Sequence, residues 1–185
     1  MAESEKMRAF VAVDFPDVVI KEVARVQKIL RKKKFEGKMT ELENLHLTLK
    51  FLGRVEEGTL ENVRKKLREV NFEEMDLNLS DIGTFSYKGR PRIVWVKVGG
   101  KGIFELQGKI DDALEGFFER EKRFMSHMTI ARVKFVKDKK EFVDYVEEIG
   151  LKGVKFNVGS FRLMKSELKK LGPVYSVIEE YKSGN

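Results

Sequence analysis

The chain holds two histidines, and both stand in the same four-residue pattern: His46-Leu47-Thr48-Leu49 and His127-Met128-Thr129-Ile130. In an extended segment, side chains two positions apart share a face. His46 therefore projects with Thr48 and His127 with Thr129, while Leu45, Leu47, Leu49, Phe51, Met128 and Ile130 take the opposite faces. An imidazole titrates near ~6.5, so two copies can hold opposite protonation states around neutral pH. One can take a proton from an attacking oxygen while the other gives a proton to a leaving oxygen. Each threonine hydroxyl can donate to a non-bridging phosphoryl oxygen as charge builds there. In-line displacement at a phosphodiester needs a base on one side and an acid on the other, which a symmetric pair supplies. Acid–base catalysis of this kind contributes ~10²–10⁴-fold per group.

Other chemistries fit less well. Cys is absent, which removes disulfides, thiolate nucleophiles and Cys-based metal sites. Catalytic zinc needs about three protein ligands, and with two histidines only carboxylates could supply the third. No metal and no cofactor is expected. A Ser–His–Asp triad would use one histidine and leave the duplication unexplained. Gly99-Gly100-Lys101-Gly102 is too short to cradle a phosphate and reads as a turn. A single histidine on a strand is ordinarily a satisfied structural residue, but the same motif at the same place in each half is not an expected coincidence.

The elements that must position these residues follow from periodicity. Phe10 to Val13 reads as a strand. Pro16 and Asp17 start a helix with Val19, Val23, Val26 and Leu30 on one face. Leu45 to Leu52 is a strand, Thr59 can cap a helix buried through Leu60, Val63, Leu67 and Val70, and a strand runs from about Leu77 to Phe85. The order then repeats. Ile93 to Val96 is apolar on both faces like a central strand, and a helix follows with Ile103, Leu106, Ile110, Leu114 and Phe117 inward. His127 to Val133 is extended, and Asp138 with Glu141 forms a capping pair for a helix carrying Phe142, Val146 and Ile149. Phe156 to Leu163 and Val174 to Ile178 are strands. The pattern is β-α-β-α-β, twice. A second echo, Ile82-Gly83-Thr84-Phe85 against Val158-Gly159-Ser160-Phe161, supports an internal repeat. The expected class is α+β, one bilobal domain over residues 1–185, with a first lobe near 1–90, a second near 91–172 and a C-terminal strand at 173–185. A pseudo-twofold axis between the lobes would bring the two His/Thr pairs to one cleft.

Lys and Arg total 37 against 30 Asp and Glu, a net charge of +7 over 185 residues. That balance suits an anionic partner such as RNA or a nucleotide. Abundant Lys and Glu with only two Gln also match the composition of heat-adapted proteins, and either account fits. The basic tracts Arg31 to Lys34, Lys137 to Lys140 and Lys169-Lys170 could contact an RNA backbone, or be solvated helix ends and turns. The start, Met1 to Lys6, has no hydrophobic leader, and no stretch is long and apolar enough to span a membrane. The expected location is the cytoplasm.

The two motifs with their flanks, His46-Leu47-Thr48-Leu49-Lys50-Phe51-Leu52-Gly53 and His127-Met128-Thr129-Ile130-Ala131-Arg132-Val133, resemble the paired His-x-Thr-x motifs of the two-histidine phosphoesterase superfamily. Within it the chain is most similar to the archaeal and bacterial RNA 2′,3′-cyclic phosphodiesterases, also called 2′-5′ RNA ligases. Arg8 to Asp14, Pro91 to Val96 and Leu163 to Tyr175 extend the resemblance over nearly the whole chain. It implies a sheet pair lining a V-shaped groove with helices outside. It also implies His46 as proton donor to the leaving oxygen and His127 as the base that activates water, with Thr48 and Thr129 on the phosphate. Arg132 would add a cationic contact and Phe51 would stack on a base. Strand parity alone turns both Arg132 and Phe51 away from the histidines. One departure is Ser126, where the family usually has Pro, which leaves the approach to the second motif less rigid.

The resemblance implies opening of a 2′,3′-cyclic phosphate at an RNA end to leave a 2′-phosphomonoester, and the reverse joining of such an end to a 5′-hydroxyl without ATP. Cleavage of 2′-5′ oligonucleotides, and a non-catalytic RNA- or nucleotide-binding module, are the alternatives. Intact His and Thr at both motifs speak against the last, because binding alone needs no pair of titratable groups. tRNA fragments are one candidate RNA, and nothing in the sequence demands more than a monomer.

Overall fold

The structure is a computed structural model that describes residues 6–170 and 172–184; most of the N-terminal stretch Met1 to Lys6 lies outside the described residues. Strand β1 (Met7–Val13) leads into helix α1 (Asp17–Leu30), whose face of Val19, Val23, Val26 and Leu30 is fully buried as its spacing predicted. A short strand β2 (Glu36–Met39) and one 3-10 turn (Leu42–Asn44) come before β3 (Leu47–Val55). Then come α2 (Glu57–Arg68), β4 (Met75–Tyr87), β5 (Arg90–Gly99), α3 (Lys101–Ala113) and β6 (His127–Phe135). Helix α4 (Lys139–Glu147) and strands β7 (Lys155–Val158), β8 (Ser160–Lys169) and β9 (Gly172–Lys182) complete the chain.

Local expectations differ from the structure at a few points. Helix α2 starts before Thr59, with Glu56 at the cap position and no side-chain cap bond, so Thr59 sits inside the first turn. Asp138 does cap α4, accepting from the Glu141 N–H at 2.9 Å, but the Glu141 carboxylate turns to Lys33 instead of back to the cap. Phe117 lies beyond α3 and is exposed. The run from Phe156 breaks at Gly159 into β7 and β8.

Among the described residues all strand pairings are antiparallel. They make one continuous nine-stranded sheet of order β7-β4-β5-β6-β3-β1-β8-β9, with β2 also along β6, and it divides into two sheets at its β6–β3 pairing. The third strand of each repeat is exchanged. Strand β4, from the first half of the chain, pairs with β5, and β8, from the second half, pairs with β1. The division at residue 90 follows the repeat in sequence, while the two sheets trade one strand across it. Helices α1 and α4 pack against the β4-β5-β6 side, α2 packs against β9, and α3 reaches both β3 and β4.

The sheets meet at one pair, Leu47 opposite Met128. Beyond it β3 departs, and β2 takes over the edge of β6 from Ala131 to Phe135. Gly37 makes that substitution feasible, since a Cβ there would stand 2.2 Å from the Arg132 carbonyl oxygen. With helices outside and strands parting, the inner faces of the two sheets form a groove.

Both motif strands carry a β-bulge at the same place. Val11 pairs with Lys50 and Ala12 with Thr48, leaving Leu49 extra; Val94 pairs with Ala131 and Trp95 with Thr129, leaving Ile130 extra. A bulge inserts one residue and resets the alternation of faces. Leu49 and Lys50 are both buried, as are Ile130 and Ala131, and the residues that follow, Phe51 and Arg132, are exposed. The second bulge is held by a buried amide: the Ile130 carbonyl accepts from Gln27 Nε2 at 2.9 Å and from the Thr40 N–H at 2.9 Å.

The buried Lys50 ammonium pairs with the Asp111 carboxylate on α3 and donates to the Glu119 carbonyl at 2.7 Å. Asp111 also accepts from Gln107 Nε2 at 2.8 Å and from the Glu121 N–H at 3.0 Å. Burial by itself would push the Asp111 carboxyl up, but these hydrogen bonds outweigh it and hold the group below its ordinary value. The network ties β3, α3 and the segment approaching His127 into one unit. Asp111→Ala leaves an uncompensated buried ammonium and is expected to cost about 3–5 kcal/mol in urea unfolding at neutral pH. A carboxyl lowered in the folded state contributes fully above its unfolded value of ~3.9 and is lost as pH falls through the folded value. The gap between wild type and variant is therefore expected to narrow toward about pH 2; a gap of unchanged size there would contradict the account.

Candidate active site

One groove of about 310 Å³ is lined by all six residues singled out in the sequence: His46, Thr48, Phe51, His127, Thr129 and Arg132. The bridge between Leu47 and Met128 is the reason the motifs meet. Each histidine immediately precedes its bridged residue, so the antiparallel sense directs Thr48 toward His127 and His46 toward Thr129. Strand parity had turned Phe51 and Arg132 the other way. The bulges at Leu49 and Ile130 return both to the histidine face, and Phe51 is 76% exposed there.

Each ring is oriented by the same device. His46 Nδ1 lies 2.8 Å from the Asn44 carbonyl oxygen, and His127 Nδ1 lies 2.7 Å from that of Met125. A carbonyl oxygen can only accept, so Nδ1 carries the proton in both rings. Nε2 is thereby left as the ring nitrogen that can accept a proton. Both anchors come from the residue two positions upstream. The 3-10 turn ending at Asn44 supplies one. The other comes from the segment held by Asp111, and there the buried Ser126 carbonyl already pairs with the Val98 N–H at 3.1 Å. Sheet pairing begins at the position where Pro was expected.

The surroundings of the two rings differ. Phe10 lies 5.0 Å from His46 between ring centroids, and Tyr175 meets it edge-on at 5.1 Å. His127 has Phe85 edge-on at 4.9 Å, which in turn packs on Trp95 at 5.3 Å. Burial pushes the His46 imidazole below its ordinary value; the Asn44 hydrogen bond opposes this, and the charges of Arg132 and His127 add to the lowering. Arg132 lines the same groove, and its charge acts to lower both the His46 and the Tyr175 pKa. Tyr175, Phe85 and the two anchoring carbonyls were not foreseen. Phe85 had a signal in the Thr84-Phe85 echo, but its counterpart Phe161 is core, stacked on Tyr181 at 4.8 Å. Among the described residues, no group of three or more His, Cys, Asp or Glu side chains is placed to hold a metal ion. No helix among them is long and apolar enough to cross a membrane.

Comparison with known proteins agrees with the internal repeat and the fold. The profile of the LigT-like phosphoesterases matches residues 13–95 and again 97–175, one copy for each repeat. The chain is 34% identical over 179 residues to the RNA 2′,3′-cyclic phosphodiesterase of Methanocaldococcus jannaschii, covering 95% of this chain and 100% of that one. It is 36% identical over 173 residues to the protein of the same name from Archaeoglobus fulgidus, covering 91% and 96%. Among solved structures, a Thermus thermophilus protein superposes with a TM-score of 0.83 at 27% identity, over 97% of this chain and 100% of that one. Escherichia coli LigT, crystallised with 3′-AMP, shares the fold at a TM-score of 0.76 and 20% identity, over 98% and 100%.

The electrostatics can be read directly. In the free protein His46 is expected to titrate below an ordinary imidazole, and Arg132→Ala is expected to shift it upward, followed by NMR of the ring carbons against pH. No movement on removal of the guanidinium would show that Arg132 and His46 are not coupled across the groove.

Proposed function

Because the chain belongs to the LigT-like phosphoesterase family, we propose that it opens RNA 2′,3′-cyclic phosphate ends to 2′-phosphomonoesters by a metal-independent reaction between its two histidines. The observation that carries this reading is the pair of Nδ1-anchored imidazoles, one from each repeat, lining a single groove. His127 Nε2 takes a proton from water as the water oxygen attacks phosphorus. The bond from phosphorus to the 3′-oxygen breaks, and His46 delivers its Nε2 proton to that oxygen. Thr48, Thr129 and Arg132 hold the non-bridging oxygens while negative charge builds on them. Phe51 offers an exposed ring on which a base can stack, worth ~1–3 kcal/mol.

The donor role asks His46 to be protonated, whereas burial and Arg132 favour its neutral form in the free protein. The substrate resolves this. An anionic phosphate seated beside the ring favours the imidazolium and offsets the Arg132 charge. The proton that His46 donates is thus taken up as the substrate binds.

By microscopic reversibility the same groove would join a cyclic phosphate end to a 5′-hydroxyl, giving a 2′-5′ linkage without ATP. The reaction would run in the cytoplasm, with tRNA fragments among its RNAs. A monomer suffices for it, because one chain supplies both histidines.

The test is incubation with an RNA ending in a 2′,3′-cyclic phosphate, resolving 2′- from 3′-phosphate products. A 2′-phosphate is expected, His46→Ala and His127→Ala should each lower turnover by at least ~10²-fold, and EDTA should change nothing. Near-wild-type activity in either single variant would overturn the two-proton scheme. A donor is lost as pH rises through its pKa, and His46 is lowered only in the free enzyme. The alkaline fall of kcat/KM is therefore expected at lower pH than that of kcat.

A further inference from the structure

A second cleft, about 710 Å³ against about 310 Å³ for the catalytic groove, opens directly from it: Thr40, Asn44, Arg132 and Tyr175 line both. Its walls are β2, which contributes Lys38, and the end of β8, which contributes Lys169 with Lys170 just beyond it; Pro173 and Val174 of β9 add apolar surface. The two walls stand close. A Cβ on Gly172 would lie 3.1 Å from Lys38 Nζ, and Asn44 Nδ2 donates to the Pro173 carbonyl at 3.4 Å. Lys38 pairs with Glu41 at 3.3 Å, and Lys169 pairs with Glu167 at 3.8 Å in an exposed contact that an arriving phosphate can displace. Counting Arg132, four cationic side chains face the cleft against the carboxylates of Glu41 and Glu43.

We infer that this cleft binds the sugar–phosphate backbone of the RNA on the 5′ side of its cyclic phosphate end, which makes an oligonucleotide chain, rather than a mononucleotide, the preferred substrate. The inference rests on the phosphodiesterase reading above. In that reaction the 3′-oxygen leaves at His46, so the terminal ribose sits on the His46 side of the groove. Asn44, whose carbonyl anchors His46, and Tyr175, whose ring edges against it, are also walls of the second cleft. A chain leaving that ribose through its 5′-oxygen enters the cleft between Lys38 and the Lys169 and Lys170 side chains. A cationic channel with apolar surface beside it is the arrangement that tracks a single strand without reading its sequence.

The experiment compares cytidine 2′,3′-cyclic phosphate with a pentanucleotide ending in the same group, in wild type and in Lys169→Ala/Lys170→Ala. Wild type is expected to favour the pentanucleotide at least ~10-fold in kcat/KM, mainly through KM. The double variant should lose most of that preference while hydrolysing the mononucleotide at the wild-type rate, which also reports an intact fold. Its oligonucleotide KM should depend less on salt, by a slope of ~0.7 for each phosphate contact removed. Should the double variant lose the mononucleotide as well, Lys170→Gln alone carries the same comparison. Equal kcat/KM for the two substrates in wild type, or an undiminished preference in the variant, would overturn this inference and leave the phosphodiesterase reading standing. Wild type that turns over neither substrate would overturn both.

Discussion

Two strands that share one residue pair set the geometry of the whole groove. Were β3 and β6 to stay paired along their length, the histidines would lie on one flat surface with nothing between them. Joined at Leu47 and Met128 alone, they hold the two motifs at a fixed spacing and then let the sheets part. The vacated edge of β6 would otherwise present unpaired backbone groups, and β2 covers it, with Gly37 allowing the close approach. The bridge and its substitute together mark the line where the two sheets part, with a cleft on one side.

The sequence disclosed the helices and the chemistry more readily than the strand details. Apolar spacing located the buried faces of α1 and α3 because helix packing rewards a repeating stripe, and Val19, Val23, Val26, Ile103, Leu106 and Ile110 are all deeply buried. The duplicated His/Thr motif was legible because a chain with two histidines has little noise around them. What could not be read was which way the strand turns after each motif. Parity assumes an unbroken pleat, and the bulges at Leu49 and Ile130 break it just where Phe51 and Arg132 are aimed. Nothing in Leu49-Lys50 or Ile130-Ala131 announces two successive inward residues, since a lysine normally faces solvent. Strand β2 was invisible for a related reason: Glu36 to Met39 has no apolar alternation and forms only because an edge needs covering. The two glutamines, noted at first only for their scarcity, are both buried: Gln27 holds a bulge and Gln107 holds Asp111.

Duplication supplies equal side chains, and their surroundings make them unequal. His46 is enclosed by Phe10 and Tyr175 and feels the Arg132 charge, whereas His127 has Phe85 alone beside its ring among the described aromatic contacts. The mirrored carbonyl anchors settle the tautomer of both rings identically. Burial and charge then separate one histidine from the other, the physical basis on which two copies of one motif can take complementary parts in a proton transfer. Beneath them the Lys50 and Asp111 pair couples the strand of the first motif to the segment that anchors the second.

The exchange of β4 and β8 between the sheets has a consequence for biogenesis. Strand β1 pairs with β3 on one side and β8 on the other, so during vectorial synthesis its outer edge waits while nearly all the remaining chain is translated. Neither repeat can close its own sheet while the other is still in the ribosomal tunnel. Long-range pairing of this kind slows folding and leaves nascent edges in need of shielding. The duplicated halves are thereby bound to each other through strand pairs that neither completes from its own residues.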